Sequence, residues 1–248
     1  MRSADYKAEL YRTYVSNFTQ LGRKPIDYTF SDSKLIPLLR PWISQLEPTV
    51  PCLDLGCGNG NVLHALKTLG FKNLTGIDLS EEQVALARMV TPAVTCGNIL
   101  DLLRNEAQPG AYGLITLFDV IEHLTKAEIM ELLANVSRCL QPGGVFISHC
   151  PNGDSPFVGN VFSGDFTHET LLNASSARHI CAVNGLTAFA AAEHLGASGS
   201  LRGRIRLCLW RLVRVGVAVA NLVETGGIGS SVWTRNFAFK AEKDPAAN

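Results

Sequence analysis

Apolar positions between residues 50 and 151 follow two periods that alternate along the chain. Short apolar runs such as VPCLDLG and VFISHCP have the length of buried strands, whereas KAEIMELLANVSRCL carries apolar residues at helical spacing. Strands that alternate with helices form a parallel sheet with helices on both faces. The pattern therefore predicts a doubly wound, Rossmann-like α/β domain.

Capping signals define the ends of two of these helices. Gly70 closes the helix GNVLHALKTLG, and Ser80 precedes the helix EEQVALARMV with the spacing of a capping box to Gln83. After residue 151 the pattern loosens. It predicts a long loop over 152–169, a helix over 169–184 and a strand LTAFAAAE.

The flanking segments extend the core without adding a second domain. Helical periodicity over residues 3–18 and 34–46 predicts two helices before the first strand, and SVWTRNFAFKA reads as a last strand. The predicted divisions are an N-terminal helical cap (1–46), a cofactor-binding core (47–200), a basic apolar helical insertion (201–230) and the last strand (231–243).

Composition excludes several classes of protein. The 248 residues are 46% hydrophobic and 18% charged, which favours a packed core over disorder, and a formal net charge of zero gives no general attraction for nucleic acid. Seven scattered cysteines without a CxxC pair favour buried thiols in a reducing compartment, so we expect neither disulfides nor a metal site. Without a signal core or a long apolar run, the sequence predicts a cytoplasmic protein.

The stretch CLDLGCGNGNVLHAL reads as a strand, a glycine-rich turn and the start of a helix. A dinucleotide site has the pattern G-x-G-x-x-G, but here the glycines follow G-x-G-x-G, and Asn61 stands at the third glycine's position. Asp54 would repel a pyrophosphate and attract an ammonium or sulfonium group. Asp78, at the end of the next strand, can accept both hydroxyls of a ribose. S-adenosylmethionine combines these features.

The motifs LDLGCGNG, GIDLS, GNILDL, LFDVIEHL and LQPGGVFISHCPN, in this order, resemble those of class I S-adenosylmethionine-dependent methyltransferases. The resemblance covers about residues 50–151. It implies a seven-stranded, mostly parallel sheet with an antiparallel last strand, an enzyme that uses S-adenosylmethionine, and S-adenosylhomocysteine as its product.

The resemblance also assigns the cofactor-binding residues. It implies that the glycines of the loop allow the backbone to approach the methionyl part, that Asp54 shapes that pocket, and that Asp78 holds the ribose. Asn98 stands where the family usually has Asp, and its amide carbonyl can accept from the adenine amino group. The residues so assigned are Asp54, Gly56, Gly58, Gly60, Asp78, Leu79, Asn98, Ile99 and Phe118.

Candidates for catalysis come from the exits of the later strands. A hydroxyl acceptor needs a base, and His123 is our first choice, with Glu122 as its support and His168 as a second candidate. The alternatives are structural: Glu122 and His123 as a capping or ion pair, His168 in a first helical turn behind an N-cap at Thr167, and His149 as a strand residue.

The acceptor is less well defined than the cofactor. FDVIEH replaces the [DN]-P-P-[YFW] signature of nucleobase methyltransferases, which argues against that class. The stretch GDFTHETLLNASSARHICAVNGL resembles a subgroup linked to bacterial surface-polysaccharide biosynthesis, which implies a hydroxyl of a glycan or nucleotide sugar. Methylation of a nitrogen or carbon atom of a small molecule, or a catalytically silent scaffold, remain alternatives.

The insertion LRGRIRLCLWRLVRVGVAVANLV combines five arginines with a broad apolar surface. Arg204, Arg211, Arg214 and Asn221 follow helical spacing and predict one narrow polar stripe. Three interpretations remain open: a helix docked on the core with extended arginines, a homodimer face, or a helix at the inner surface of an anionic membrane.

Overall fold

A seven-stranded sheet forms the centre of the protein in the computed structural model, which describes residues 27–195 and 200–245. The predicted helix over residues 3–18 lies outside the described residues. The strands are β1 (Pro51–Leu55), β2 (Asn73–Asp78), β3 (Val94–Cys96), β4 (Tyr112–Phe118), β5 (Leu140–Pro151), β6 (Leu186–Glu193) and β7 (Asn236–Lys243).

The strand order is β3-β2-β1-β4-β5-β7-β6. Strands β1 to β5 pair in parallel, and β7 pairs antiparallel with both β5 and β6. The order reverses between β1 and β4, and ligands of open α/β sheets bind beyond the carboxyl ends of the strands at such a point. The predicted sheet and its antiparallel last strand are confirmed.

Eight helices accompany the sheet within the described residues. They are α1 (Thr29–Ile43), α2 (Asn61–Thr68), α3 (Glu81–Ala87), α4 (Ile99–Asp101, continued by a π-helical turn, Leu102–Glu106), α5 (Lys126–Cys139), α6 (Gly159–Phe162), α7 (Ala174–Val183) and α8 (Leu201–Thr225). A short 3-10 turn, Ile121–His123, connects β4 to α5.

Two hydrophobic cores lie on opposite faces of the sheet. Leu39 of α1, Leu63 of α2 and Ala87 of α3 belong to one core, whereas Leu132 of α5 and Cys181 of α7 belong to the other. All seven cysteines are free thiols, and five of them are buried. Burial of this apolar surface from both sides holds the sheet, and its carboxyl edge, in place.

Three predicted boundaries and one predicted capping box differ from the structure. Helix α1 begins at Thr29 within the predicted loop, and β7 begins at Asn236 rather than 231. Helix α7 begins at Ala174, where Asn173 caps it with a reciprocal bond to Ser176, so residues 167–169 are loop. The capping box at Ser80 is half formed, because its hydroxyl accepts from the Gln83 amide while Gln83 Oε1 has no partner within the described chain.

Helix α8 packs differently from the others. Only Gly203 of its 25 residues is buried. Trp210 and Arg214 contact the carboxylate of Glu193 at 3.1 and 3.4 Å, and Asn221 donates to the carbonyl of Gly227. Helix α8 therefore lies on the surface, where Arg214 and Asn221 are half-buried and Arg204 and Arg211 are exposed, and none of its described residues belongs to either hydrophobic core.

Candidate active site

The glycine loop follows β1 and lies at the point where the strand order reverses. Gly56, Gly58 and Gly60 have φ values of 69°, 51° and 88°, a region that side chains other than glycine rarely adopt. A Cβ at Gly56 would overlap Val120, whereas a Cβ at Gly58 would meet nothing within 4 Å. The loop therefore needs glycine for its backbone and has open space beside Gly58.

Asp54 is a buried carboxylate beneath this loop. Its Oδ1 accepts from the Thr116 hydroxyl at 2.7 Å, while its Oδ2 is buried without a hydrogen-bond partner in the described structure. Burial raises the pKa of Asp54 to about 7. A buried carboxylate with an open oxygen fits a cationic ligand, because the opposite charge offsets its lost hydration.

Asp78 ties the glycine loop to the end of β2. Its Oδ2 accepts from the Gly58 amide and its Oδ1 from the Ser80 amide, both at 2.9 Å. Each carboxylate oxygen can accept a second bond, so the side chain also fits ribose hydroxyls. Asp78 thus supports the loop as well as offering the predicted ribose contact.

The remaining predicted cofactor residues surround the same strand ends. Leu79 is 53% exposed, Ile99 is buried, and the ring of Phe118 stacks on His149 with centroids 5.6 Å apart. Asn98 caps α4, and its Oδ1 accepts from the Leu100 amide at 2.8 Å and the Asp101 amide at 3.4 Å. The predicted adenine contact would therefore use an oxygen already engaged, whereas its Nδ2 is suited to donate to an adenine ring nitrogen.

Tyr28 is a contributor that the sequence analysis missed. Its hydroxyl donates to the Asn59 carbonyl in the glycine loop at 3.0 Å, and its ring stacks on His64. A cleft of about 510 Å³ between α1 and α2 includes Tyr28, Asp32 and His64 in its walls. The start of α1 thus covers the glycine loop, which helical periodicity alone could not indicate.

Glu122, His123 and His168, the three predicted catalytic residues, lie together. One ligand atom from each lies within 4.8 Å of the others, and Glu122 Oε1 is 4.0 Å from His168 Nε2. The alternative of a capping pair is wrong for Glu122 and His123, because Thr125 and Glu128 form the capping box of α5. The backbone carbonyl of Glu122 accepts from Glu169 and Thr170, which joins the loop before α7 to the exit of β4.

Hydrogen bonds orient both imidazole rings. The Thr167 hydroxyl donates to Asp165 at 2.6 Å, so it accepts from His123 Nδ1 at 2.7 Å. His168 Nδ1 donates to the Phe162 carbonyl at 2.9 Å. Since Nδ1 carries the hydrogen in each case, the lone pair of each neutral ring is on Nε2.

Burial and neighbouring charges shift the pKa values of His123 and Glu122. Burial, and then the neighbouring His168, lower the pKa of His123 to about 4, so its ring is neutral at pH 7. Burial and the charge of Asp119 raise the pKa of Glu122 well above its usual range. A neutral imidazole beside a buried carboxyl can offer its lone pair to a hydroxyl or a cation, while burial opposes the protonated form of the ring.

A second polar chain crosses β4, β5 and β6 beside this group. His149 Nδ1 bonds to Asp119 Oδ1 at 2.7 Å, and His149 Nε2 meets His194 Nδ1 at 2.6 Å. Asp119 has a φ of 54°, which is strained for a residue with a side chain. Although the surroundings disfavour its charge, His149 holds the pKa of Asp119 below its usual range. The sequence analysis missed Asp119 and His194, since only the sheet order brings them to His149.

The comparisons agree with this geometry. Residues 53–148 match the family model described as a methyltransferase domain. A crystal structure of an S-adenosylmethionine-dependent methyltransferase from Archaeoglobus fulgidus superposes with a TM-score of 0.63 at 18% identity, and the match covers 86% of this chain and 94% of that one. The chain is an S-adenosylmethionine-dependent methyltransferase, and residues 53–148 are its matched methyltransferase domain. The open space at Gly58 and the open Oδ2 of Asp54 fit its cofactor.

Two curated relatives of this methyltransferase act on different atoms. The protein-lysine N-methyltransferase EFM4 of Saccharomyces cerevisiae is 29% identical over 57% of this chain and 71% of its own length. A ubiquinone biosynthesis O-methyltransferase of Albidiferax ferrireducens is 28% identical over 52% of this chain and 54% of its own length, so the match spans about half of that enzyme. The relatives therefore leave the acceptor atom open.

Proposed function

We propose that this methyltransferase acts on a hydroxyl oxygen of a small molecule or a sugar. The observation that carries the proposal is the group of Glu122, His123 and His168 at the exit of β4, the edge where the cofactor presents its methyl group in this architecture. An amine acceptor needs mainly to be aimed, whereas a hydroxyl must also lose its proton.

The reaction requires one bond to form and one to break. The acceptor oxygen attacks the methyl carbon, the carbon–sulfur bond breaks with its electron pair on sulfur, and S-adenosylhomocysteine leaves. The hydroxyl proton passes to a base, for which the neutral ring of His123, with its lone pair on Nε2, is the first candidate. Alignment supplies much of the rate, because the sulfonium already carries the driving charge.

The proposal extends to the cofactor residues that the sequence predicts. The carboxylate of Asp54 would meet the cationic part of S-adenosylmethionine, Asp78 the ribose, and Leu79 and Phe118 the apolar faces around the adenine and the methyl group. Three observations support these roles: Asp54 Oδ2 is buried without a hydrogen-bond partner in the described structure, Asp78 lies at a strand end, and Leu79 is exposed.

A sugar-like acceptor is supported by the segment that follows β5. Phe157 and Phe166 in this segment are 46% and 83% exposed, so they can pack on a ligand. Elsewhere on the surface, Lys34 is close enough to Arg206 and Arg235 for their charges, after burial, to lower its pKa. Such a cluster of cations suits an acceptor that carries phosphate, such as a nucleotide sugar or a lipid-linked glycan.

A labelled-methyl experiment tests the acceptor atom. The full chain is incubated with carbon-13 methyl-labelled S-adenosylmethionine and a panel of nucleotide sugars, dihydroxyaromatics and amines, and the products are examined by mass spectrometry and NMR. We expect an O-methyl signal that the variant His123→Ala reduces by roughly 10²–10⁴-fold. The matched control is His179→Ala, because His179 is exposed on α7. An N- or C-methyl product, or S-adenosylmethionine binding without turnover on any acceptor, would contradict the proposal.

We further propose that α8 contacts an anionic membrane surface. Its exposed side carries Leu209, Leu212 and Val219 together with Arg204 and Arg211. Exposed apolar surface of this extent marks an interaction site, and arginines without acidic neighbours favour anionic lipid over a second copy of the same basic helix. Among the described helices, none is both long and apolar enough to cross a bilayer. We propose a peripheral contact with the inner surface of the membrane.

A further inference from the structure

We propose that Glu122, His123 and His168 bind a divalent transition-metal ion of the zinc class. The sequence analysis expected no metal site because the seven cysteines are scattered and form no CxxC pair, and Glu122 and His168 lie 46 positions apart. In the structure one ligand atom from each lies within 4.8 Å of the other two. The inference rests on the proposed function and describes how the same site would handle the acceptor oxygen.

Both histidines are already oriented as metal ligands are. Metal-binding imidazoles usually donate their second nitrogen's hydrogen to a carbonyl or carboxylate, which fixes the ring. Here His168 donates from Nδ1 to the Phe162 carbonyl, and His123 donates from Nδ1 to the Thr167 hydroxyl, which in turn donates to Asp165. These bonds turn Nε2 of His168 towards Glu122 Oε1 and hold the His123 ring beside it, with the two ring centroids 4.7 Å apart.

The carboxylate supplies an independent observation. Glu122 is 3% exposed, and its Oε2 is buried without a hydrogen-bond partner within the described chain. Burial of a carboxyl oxygen without a partner is costly, and a cation removes that cost. Its other oxygen, Oε1, faces His168 Nε2 at 4.0 Å, too far for a hydrogen bond but close to the separation of two atoms that share an ion.

The distances and the donor set indicate the kind of ion. Ligand atoms about 2.0–2.2 Å from a tetrahedral zinc ion lie about 3.4 Å apart, so the three side chains would close by roughly an ångström. Two imidazoles and one carboxylate suit zinc, iron or cobalt, whereas magnesium and calcium prefer oxygen alone. Three protein ligands leave coordination positions open, as they do in catalytic sites.

The open positions would accept the acceptor oxygen. A bound ion would lower the pKa of a coordinated hydroxyl, so that its proton would pass to solvent water before methyl transfer and none of the three ligands would need to act as the base. An acceptor with two adjacent oxygens, such as a vicinal diol of a sugar or a dihydroxyaromatic ring, can occupy two positions and be aimed by the chelate. The site would therefore favour vicinal dihydroxy compounds over isolated alcohols.

The first test measures metal binding without turnover. Zn²⁺ or Co²⁺ alone is titrated into the chelator-stripped full chain by calorimetry, and the Co²⁺ spectrum separates nitrogen and oxygen ligands from cysteine sulfur. We expect one equivalent to bind, with at least a hundredfold weaker binding in His168→Ala and Glu122→Gln and about ten- to hundredfold weaker binding in Asp165→Asn. His179→Ala should bind as the wild type does.

The outcomes separate the metal from the proposed function. If the wild type binds no ion, or if His168→Ala and Glu122→Gln leave binding unchanged, the metal site is refuted, and O-methylation that persists in chelator would leave His123 as a free base. If the ion binds at these residues but no oxygen is methylated, the site stands and the proposed function fails. Should the variants not fold, anomalous scattering at the zinc edge from wild-type crystals decides the matter, because a peak between the three side chains supports the site and its absence refutes it.

Discussion

The edge of the sheet at the carboxyl ends of its strands has a cofactor side and an acceptor side, and different interactions hold each of them together. On the cofactor side, backbone amides of the glycine loop bond to the Asp78 carboxylate and to the Ile77 carbonyl, all within 23 residues of the chain. On the acceptor side, side chains from β4, the loop before α7 and β6 meet across 44 or 45 residues, as in the pairs His123–Thr167 and His149–His194. One half depends on backbone conformation, and the other depends on packed side chains.

This difference predicts which property each half loses on mutation. Changes in the glycine loop should lower the affinity for S-adenosylmethionine. Without a bound methyl donor, such variants give no information on the acceptor side. Changes in the histidine groups should spare cofactor affinity and reduce turnover. Affinity for S-adenosylmethionine and rate at saturating cofactor therefore separate the two halves experimentally.

The largest effect is expected from Gly56→Ala. Alanine at φ 69° is strained, and its Cβ would overlap Val120. We expect calorimetry to show at least a hundredfold loss of S-adenosylmethionine affinity, with a lower melting temperature. The control Gly143→Ala has a φ of 73° but no atom within 4 Å of the added Cβ, so it shows the backbone strain alone. Equal losses of affinity in the two variants would contradict the steric argument.

Asp78→Ala comes next, because it removes two backbone bonds in the loop as well as the proposed ribose contact. Hydrogen bonds to a charged group each contribute about 1.5–3 kcal/mol, so cofactor affinity should fall roughly ten- to hundredfold. The structure adds that the loop itself should loosen, which hydrogen exchange at the Gly58 amide can measure. Unchanged affinity would remove Asp78 from the site.

Thr167→Val examines the acceptor half. Valine keeps the shape but removes the hydroxyl that connects His123 to Asp165, so the ring loses its anchor. Turnover on the acceptor should fall about tenfold, as is usual when an orienting partner is lost, and cofactor affinity should change less than about twofold. Thr187→Val, at an exposed hydroxyl on β6, is the matched control. A parallel loss of cofactor affinity would show that the halves are not separable.

Asp54 gives a pH test of the cofactor half. Its pKa of about 7 lies above that of the unfolded chain, so its contribution to stability is present below about pH 4 and is lost as the pH rises through 7. A cationic cofactor favours the charged carboxylate, so affinity should rise up to roughly tenfold from pH 6 to pH 8. Asp54→Asn should abolish this dependence. A flat profile in the wild type would place Asp54 away from the cofactor's charge.

The strand, turn and helix of the cofactor half could be predicted from the sequence because that half is local, while the ligand contacts of its residues stay predictions. Asp54, the three glycines and Asp78 lie within 25 residues, so one short continuous stretch of sequence contains the two strand ends and the turn between them. The acceptor half combines Asp119 and His149, which the pairing of β4 with β5 brings together, and His194, which reaches them through the antiparallel β7 between β5 and β6. Thr167 was misjudged for a related reason, since a residue typical of helix caps instead bonds to a distant histidine.

The smallest effect concerns α8, where periodicity predicted an amphipathic helix but could not tell which side faces the protein. Arg214 bonds to Glu193, so it is a poor probe, whereas Arg211 is exposed and has no carboxylate within 4.0 Å among the described residues. If α8 meets anionic lipid, Arg211→Gln should weaken binding to phosphatidylserine vesicles about fivefold, because each basic residue near such a surface contributes about 1 kcal/mol. Flotation with vesicles at low and high salt measures this binding, which should fall as salt screens the charge.

Lys72→Gln, which changes an exposed cation elsewhere on the surface, is the control. A wild-type chain that does not float at low salt contradicts the membrane contact, and concentration-dependent light scattering would then identify α8 as a face between two copies of this chain.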